Sequence, residues 1–325
     1  MAAKPTAADV LDHFLTLANE LKRTGGWMED KAILRHAATT LPLLEVEPRE
    51  LAARYRAVIE ELAAETHWWQ TANGSVRYVI AASIVRQDER VRSFLSEAER
   101  VHKLFRAARL PRGALSEVLA FLTLRESAEG GRVSQAQVAR MRELFGEIRK
   151  DHRWLLGADE YPTIALLSTT DVGASQIARR VEHILQDLES HGFGSRGRLM
   201  PASQLLFLSP ERDSLASDRF RALWKECKAR GLRMNSGDYD EVALLAHLPR
   251  DAGEIVRLVL EHREGIDTLR PRPGREIGFS LACSTAFVQL VGGDKKLRRL
   301  AYTQSAIQIR GLIAARQAAA AAAAS

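Results

Sequence analysis

Two short elements place carboxylates beside a tyrosine: Gly157-Ala158-Asp159-Glu160-Tyr161-Pro162 and, further on, Gly237-Asp238-Tyr239-Asp240-Glu241. Two carboxylates a few ångströms apart can serve as general acid and base, or hold a hard divalent cation through oxygen. Asp159, Glu160, Asp238 and Asp240 are therefore the candidate catalytic acids, and Tyr161 and Tyr239 the candidate substrate-positioning residues. The same residue types also start helices well, because an acid near the first turn accepts from unpaired N–H groups and complements the macrodipole. On that reading the tyrosines pack on a neighbouring helix with their hydroxyls near water.

Other groups have weaker chemistry. Trp27, His67, Trp68, Trp69 and Asn73 form an aromatic-rich cluster. It reads as a loop cover or, if exposed at a rim, as an anchor for a protein partner, with Trp68 and Trp69 the binding candidates. Gly192-Phe193-Gly194-Ser195-Arg196-Gly197 matches G-x-G-x-x-G in letters, but a helical pattern precedes it where a dinucleotide site needs a strand. It reads as a turn, with Arg196 and Arg198 available to an anion. The histidines show no H-E-x-x-H or zinc spacing, and no Walker loop or G-x-S-x-G elbow occurs. Neither a metal nor a cofactor is expected. Cys227 and Cys283 sit in apolar helical patterns and read as buried thiols in a reducing compartment.

The elements that must position these groups are helices. Of 325 residues 46% are hydrophobic and 27% charged, with 21 Gly and 10 Pro, too few for a loop-rich β protein. Ile80-Ala81-Ala82-Ser83, Leu119-Ala120-Phe121-Leu122, Ile164-Ala165-Leu166-Leu167, Leu205-Leu206-Phe207-Leu208 and Val242-Ala243-Leu244-Leu245 recur at intervals of about 40 residues. Ile33-Leu34 and Leu281-Ala282-Cys283 extend the series at either end. Between them lie amphipathic stretches such as Val138, Met141, Leu144, Phe145 and Ile148, or Ile177, Val181, Ile184, Leu185 and Leu188, or Phe220, Leu223, Trp224 and Cys227. Each pair is a hairpin of one inner and one outer helix. Glycine just past a helix in His191-Gly192-Phe193 and Arg230-Gly231-Leu232 predicts Schellman caps. Ser134 and Gln137 predict a capping box, and Glu47-Pro48 and Ser209-Pro210 place proline in a first turn. About seven hairpins must stack to cover their apolar faces, either as an open α-solenoid or as a closed α/α toroid.

The Gly157–Pro162 element followed by Ile164-Ala165-Leu166-Leu167 resembles the central motif of an uncharacterised bacterial family, the domain of unknown function numbered 4003. The order of the other hairpins, the later Gly-Asp-Tyr element and the alanine-rich end are also similar. The resemblance implies an all-helical fold and a bacterial origin, and no activity.

The chain divides into a hairpin domain over residues 1–293 and a basic, alanine-rich segment over 294–325. The net charge of +6 belongs to the C-terminal end: from Arg270 onward nine Lys or Arg face only Glu276 and Asp294. Lys295-Lys296-Leu297-Arg298-Arg299 opens a helix expected to cap the last hairpin, or to touch an anionic surface. Aromatic residues are too few there to favour nucleic acid. The N-terminus lacks the apolar core of a signal peptide, and no apolar run is long enough for a membrane span, so a cytoplasmic location is expected. The expected function is a non-enzymatic helical-repeat scaffold that binds a protein or peptide on its concave face. The alternative is an α/α-toroid enzyme of hydrolase or lyase type using the acids named above.

Overall fold

The computed structural model describes residues 7–26, 29–41, 46–65, 76–128, 131–151, 160–209, 211–292, 294, 297–305, 308 and 311–312. Among the described residues fourteen α-helices follow one another as seven hairpins: α1 (Ala7–Arg23) with α2 (Lys31–Thr39), α3 (Pro48–Ala64) with α4 (Val76–Arg86), α5 (Val91–Ala107) with α6 (Ala114–Ser127) and α7 (Gln135–Asp151) with α8 (Tyr161–Leu167). The series continues with α9 (Ala174–Ser190) and α10 (Arg196–Phe207), α11 (Asp213–Ala229) and α12 (Tyr239–Leu245), and α13 (Ala252–Ile266) and α14 (Arg275–Val291). A 3₁₀ turn, Ser236–Asp238, leads into α12, and residues 297–305 form a further helical segment. Among the described residues there is no strand, so the protein is all-α.

The two helix types separate as the repeat requires. Every residue of α8 is buried, α12 is buried along nearly its whole length, and α10 is buried from Leu199 onward apart from Pro201. The odd-numbered helices bury one stripe only: Val138, Met141, Leu144, Phe145 and Ile148 of α7 all lie in the core, as do Ile177, Val181, Ile184, Leu185 and Leu188 of α9. Each odd helix packs on the next odd helix from α1 through α13, and each even helix on the next even helix from α2 through α14. Both series then return to their start, since α13 and α14 pack on α1, and α14 packs on α2. At this junction Arg35 of α2 donates to the Pro271 carbonyl at 3.0 Å. Gly265 of α13 lies so close to Leu11 of α1 that an added Cβ would come within 2.7 Å of it.

Caps set most of the helix ends. After α9, Phe193 N–H donates to Leu188 C=O at 3.2 Å and Gly192 N–H to Glu189 C=O at 3.0 Å, with Gly192 at φ +85°. Leu232 and Gly231 repeat this after α11. The same hydrogen-bond pair closes α4 and α5 with Asp88 (φ 49°) and Arg109 (φ 55°) in the left-handed position, two caps that no glycine announced. Ser134 and Gln137 exchange both bonds of a capping box, and Pro48 opens α3 behind Glu47. Pro210 lies outside the described residues; beside it Ser209 accepts from Glu211 N–H, and α11 begins at Asp213.

A clamp that sequence reading passed over recurs on four outer helices. Arg100, Arg140, Arg180 and Arg219 lie about 40 residues apart. Each ties down the exit from its own hairpin. Arg140 donates to the carbonyls of Ser168 (2.8 Å), Thr170 and Val172 (2.6 Å). Arg100 holds Val133 C=O, Arg180 pairs with Asp213, and Arg219 holds Leu248 C=O. A guanidinium suits this work because its planar fork reaches several loop carbonyls at once.

Candidate binding site within the inner helices

The C-terminal segment does not lie on the last hairpin alone. Leu300, Ala301, Thr303, Gln304 and Ser305 are all buried. Ser305 Oγ is 3.2 Å from Thr39 Oγ1 of α2, and the Arg86 guanidinium of α4 lies over the Tyr302 ring at 3.9 Å. Tyr302 and Thr303 share a crevice with Leu122, Thr123 and Glu126 of α6, and Ala301 and Tyr302 share another with Phe287 and Val291 of α14. On its other flank a cavity of about 470 Å³ separates Leu297, Arg299 and Leu300 from Ser127, Leu166, Thr169, Leu208 and His247. Helices α2, α4, α6, α8 and α14, and the residues just past α10 and α12, therefore border this segment or the cavity beside it. A charged stretch read from sequence as a solvent-facing cap is half-buried at Arg298, which donates to Gly292 C=O at 2.7 Å. Arg299 is exposed at the cavity, while Lys295 and Lys296 lie outside the described residues.

The cavity has an apolar floor, Leu166, Leu208, Leu297 and Leu300, and a polar border that includes Thr169, Thr170, Asp171, His247 and Arg299. That mixture and size suit a small ligand or a few side chains of a larger one. His247 is buried and held by Leu205 C=O at 2.9 Å. Among the described residues no group of three or more His, Cys, Asp or Glu could hold a metal ion.

A second polar feature lies further along the inner helices. Gln204 of α10, Glu241 of α12 and Ser280 of α14 each stand immediately before the hydrophobic pair that marks the repeat, Leu205-Leu206, Val242-Ala243 and Leu281-Ala282. At the same place α4 carries Val79, which lines the crevice beside Tyr302. Glu241 is 4% exposed. Burial pushes its carboxyl up to about 8, Asp240 and Asp238 push the same way, and the nearby Ser280 hydroxyl pulls down. The two groups nevertheless fall short of a full hydrogen bond. Glu241 Oε2, Ser280 Oγ and both amide atoms of Gln204 have no hydrogen-bond partner, as do both amide atoms of the buried Gln304. Buried polar atoms are nearly always paired, so unmet atoms at one register of three adjacent inner helices stand out.

The residues singled out by sequence fall elsewhere. Asp238 is buried as half of a capping box: it accepts from Asn235 N–H at 2.8 Å and pairs with Arg275 at 3.2 Å. Glu160 precedes α8 and Asp240 opens α12; both are half-buried and engaged by neighbours. Helices α8 and α12 are separated by α10, which packs on both. Asp159, Trp27, Trp68 and Trp69 lie outside the described residues. Tyr161 is buried, donates to Pro111 C=O at 3.0 Å and meets Phe145 edge-on. Tyr239 sits among Phe193, Phe220 and Trp224 between hairpins. Arg196 is spent on Glu182 and Glu189, whereas Arg198 is exposed at the start of α10. Both cysteines are buried free thiols, with burial pushing Cys227 up to about 12. Glu241 was passed over because an acid in the first turn of a helix has a ready local explanation; its signal was its register with Gln204 and Ser280.

Among the described residues no helix is long and apolar enough to cross a membrane. No curated protein and no solved structure matches the chain. A family model described as a protein of unknown function, DUF4003, matches residues 19–318, which takes in every inner helix and the segment they border. The chain belongs to this DUF4003 family.

Proposed function

We propose that the protein is a receptor for a helical peptide segment of a partner protein, built as a closed α/α toroid whose inner helices surround the seat. The return of both helix series to α1 and α2 supports closure over an open solenoid. The observation that carries the binding role is the C-terminal segment itself. A stretch of helix bearing Leu300, Ala301, Tyr302 and Ser305 is held by side chains from α2, α4 and α14, as a bound peptide would be. In the free chain it occupies the seat, and a partner segment competes for it. Affinity for such a competitor is set by the effective concentration of the tethered segment, on the order of millimolar for a short linker. The free thiols fit a reducing compartment and are consistent with a cytoplasmic site of action.

A fluorescently labelled peptide of residues 294–312 tests this directly. In the full chain carrying Leu300→Glu and Ala301→Glu, two carboxylates would enter a dry seat and expel the segment. The labelled peptide should then bind that variant with micromolar affinity and bind the wild-type chain at least about a hundredfold more weakly. A peptide bearing the same two substitutions should bind neither. A variant that keeps its helicity and melting temperature yet fails to take up the wild-type peptide would overturn the proposal.

A second reading is an enzyme of hydrolase or lyase type, favoured by the size of the cavity and its His247, Asp171 and Arg299 border. It is the weaker one, because Asp238 is committed to its cap and its ion pair.

A further inference from the structure

We infer that Glu241, Ser280 and Gln204 form a recognition site for a cationic side chain, the ammonium of lysine or the guanidinium of arginine, carried by the segment that the inner helices receive. The inference rests on the receptor reading and adds the chemistry of its ligand. A carboxyl group kept almost wholly out of water is costly unless a charge or several hydrogen bonds meet it. Glu241 forms no ion pair among the described residues, although an arginine meets each of the other two buried acids: Arg106 meets Glu117 and Arg275 meets Asp238. At this one register the packed helices α10, α12 and α14 carry three kinds of unmet acceptor, a carboxamide oxygen, a carboxylate oxygen and a hydroxyl, of which the hydroxyl of Ser280 is the one near Glu241. An ammonium offers three donors and a guanidinium five, so a cation satisfies all three together.

The cavity lies close along the same helices. Leu208, which lines the 470 Å³ cavity, stands one turn beyond Gln204 at the end of α10, and His247 lines the same cavity just past the end of α12. One turn is ~5.4 Å, within reach of a lysine or arginine stem rooted in the cavity. The apolar floor of the cavity covers that stem. Gln304 of the C-terminal segment is itself left without partners, so the resident segment fills the seat without completing it. A segment that did supply the cation would displace it.

Other titratable groups surround the site and bear on its pH dependence. Asp238 and Asp240 lie on the α12 side, Asp238 paired with Arg275 at the start of α14. Cys283 of α14 and Cys227 of α11 are close enough to feel the local acids, and both thiols stay protonated through neutral pH because burial holds them up. Glu241 is then the group whose charge changes between pH 7 and 9.

The probes are n-butylguanidinium and its neutral isostere n-butylurea, titrated into the full chain and into the full-length Leu300→Glu/Ala301→Glu variant. Binding is followed by NMR with ¹³C-labelled glutamate carboxyls. Butylguanidinium should bind the variant in the low millimolar range at pH 9 and shift the Glu241 resonance. Its affinity should fall about tenfold at pH 7, where only about a tenth of Glu241 is ionised. Butylurea should bind at least tenfold more weakly, and Glu241→Gln should erase the difference. Equal binding of the two probes, or a preference that survives Glu241→Gln and Ser280→Ala alike, overturns the inference. Should the 294–312 peptide bind while butylguanidinium does not, the receptor stands and the cation site falls. Should neither bind, both fall.

Discussion

Glu241→Gln is expected to make the protein more stable, and increasingly so as the pH rises. The folded chain holds the Glu241 carboxyl at about 8, against 4.5 for the exposed group. Between those values the folded state keeps a proton that the unfolded chain has released. Stability is therefore complete below about pH 4.5 and declines by ~1.4 kcal/mol per pH unit until the group ionises near pH 8. Over that window the loss is of the order of 3–5 kcal/mol. Glutamine has the shape of the protonated acid and cannot lose a proton, so the variant should match the wild type near pH 5 and exceed it by several kcal/mol at pH 9. Other groups titrate as well. Burial lowers His36 from 6.5 to about 4, and that imidazole destabilises the fold only as the pH falls through this range, opposite in sense to Glu241. The difference between the two chains cancels such shared terms. Urea unfolding at pH 5, 7 and 9 measures it; a difference that does not grow with pH would show that Glu241 is not held protonated.

The opposite expectation holds for Glu117. This carboxylate is equally buried, but it accepts from Arg106 at 2.5 Å, from Gly113 N–H at 2.9 Å, and lies 3.0 Å from His102 Nδ1. It joins the last turn of α5 to the first turn of α6, and so fixes the angle of the third hairpin. Glu117→Ala leaves the arginine and the Gly113 amide without their acceptor, and should cost ~3 kcal/mol or more. Glu117→Gln keeps the contact with Gly113 but loses the charge, and should recover part of the loss. Thermal unfolding checks both; a shift within ~1 °C of the wild type for Glu117→Ala would contradict the assignment. Two buried acids, each in the first turn of an inner helix, thus differ in sign, and partners decide which way.

Much of the fold is written locally. The small-and-large pairs of α4, α6, α8, α10, α12 and α14 were visible at their spacing because a helix packed on all sides must be apolar all round. Gly192 and Gly231 announced their caps, since only glycine takes a left-handed φ freely. Asp88 and Arg109 make the same turn without that signature, so those two ends were unmarked. The return of α13 and α14 to α1 and α2 was not legible. It depends on Leu11 meeting Gly265 and Arg35 meeting Pro271, contacts between residues more than 200 positions apart whose types alone carry no such pairing. The site was legible only in part. Asp238 resembles a catalytic acid and is a cap, while Glu241, three positions on, resembles a helix-start acid and is the one left unpaired. The basic run at Lys295–Arg299 drew attention to charge, yet the residues that seat the segment are Leu300, Ala301, Tyr302 and Ser305, an unremarkable string in isolation.

The central claim is that the C-terminal segment occupies the seat formed by the inner helices, and a cysteine pair tests it most directly. Thr39 Oγ1 and Ser305 Oγ lie 3.2 Å apart, one on α2 and the other on the segment. In a full chain carrying Thr39→Cys and Ser305→Cys, the two thiols should join on mild oxidation. The native Cys227 and Cys283 are buried and should take no part. Mass spectrometry of the peptides released by protease should show the two introduced thiols linked to each other within one chain and in most molecules. Recovery of both thiols unlinked under conditions that oxidise exposed cysteines, or linkage only between chains, would contradict the account.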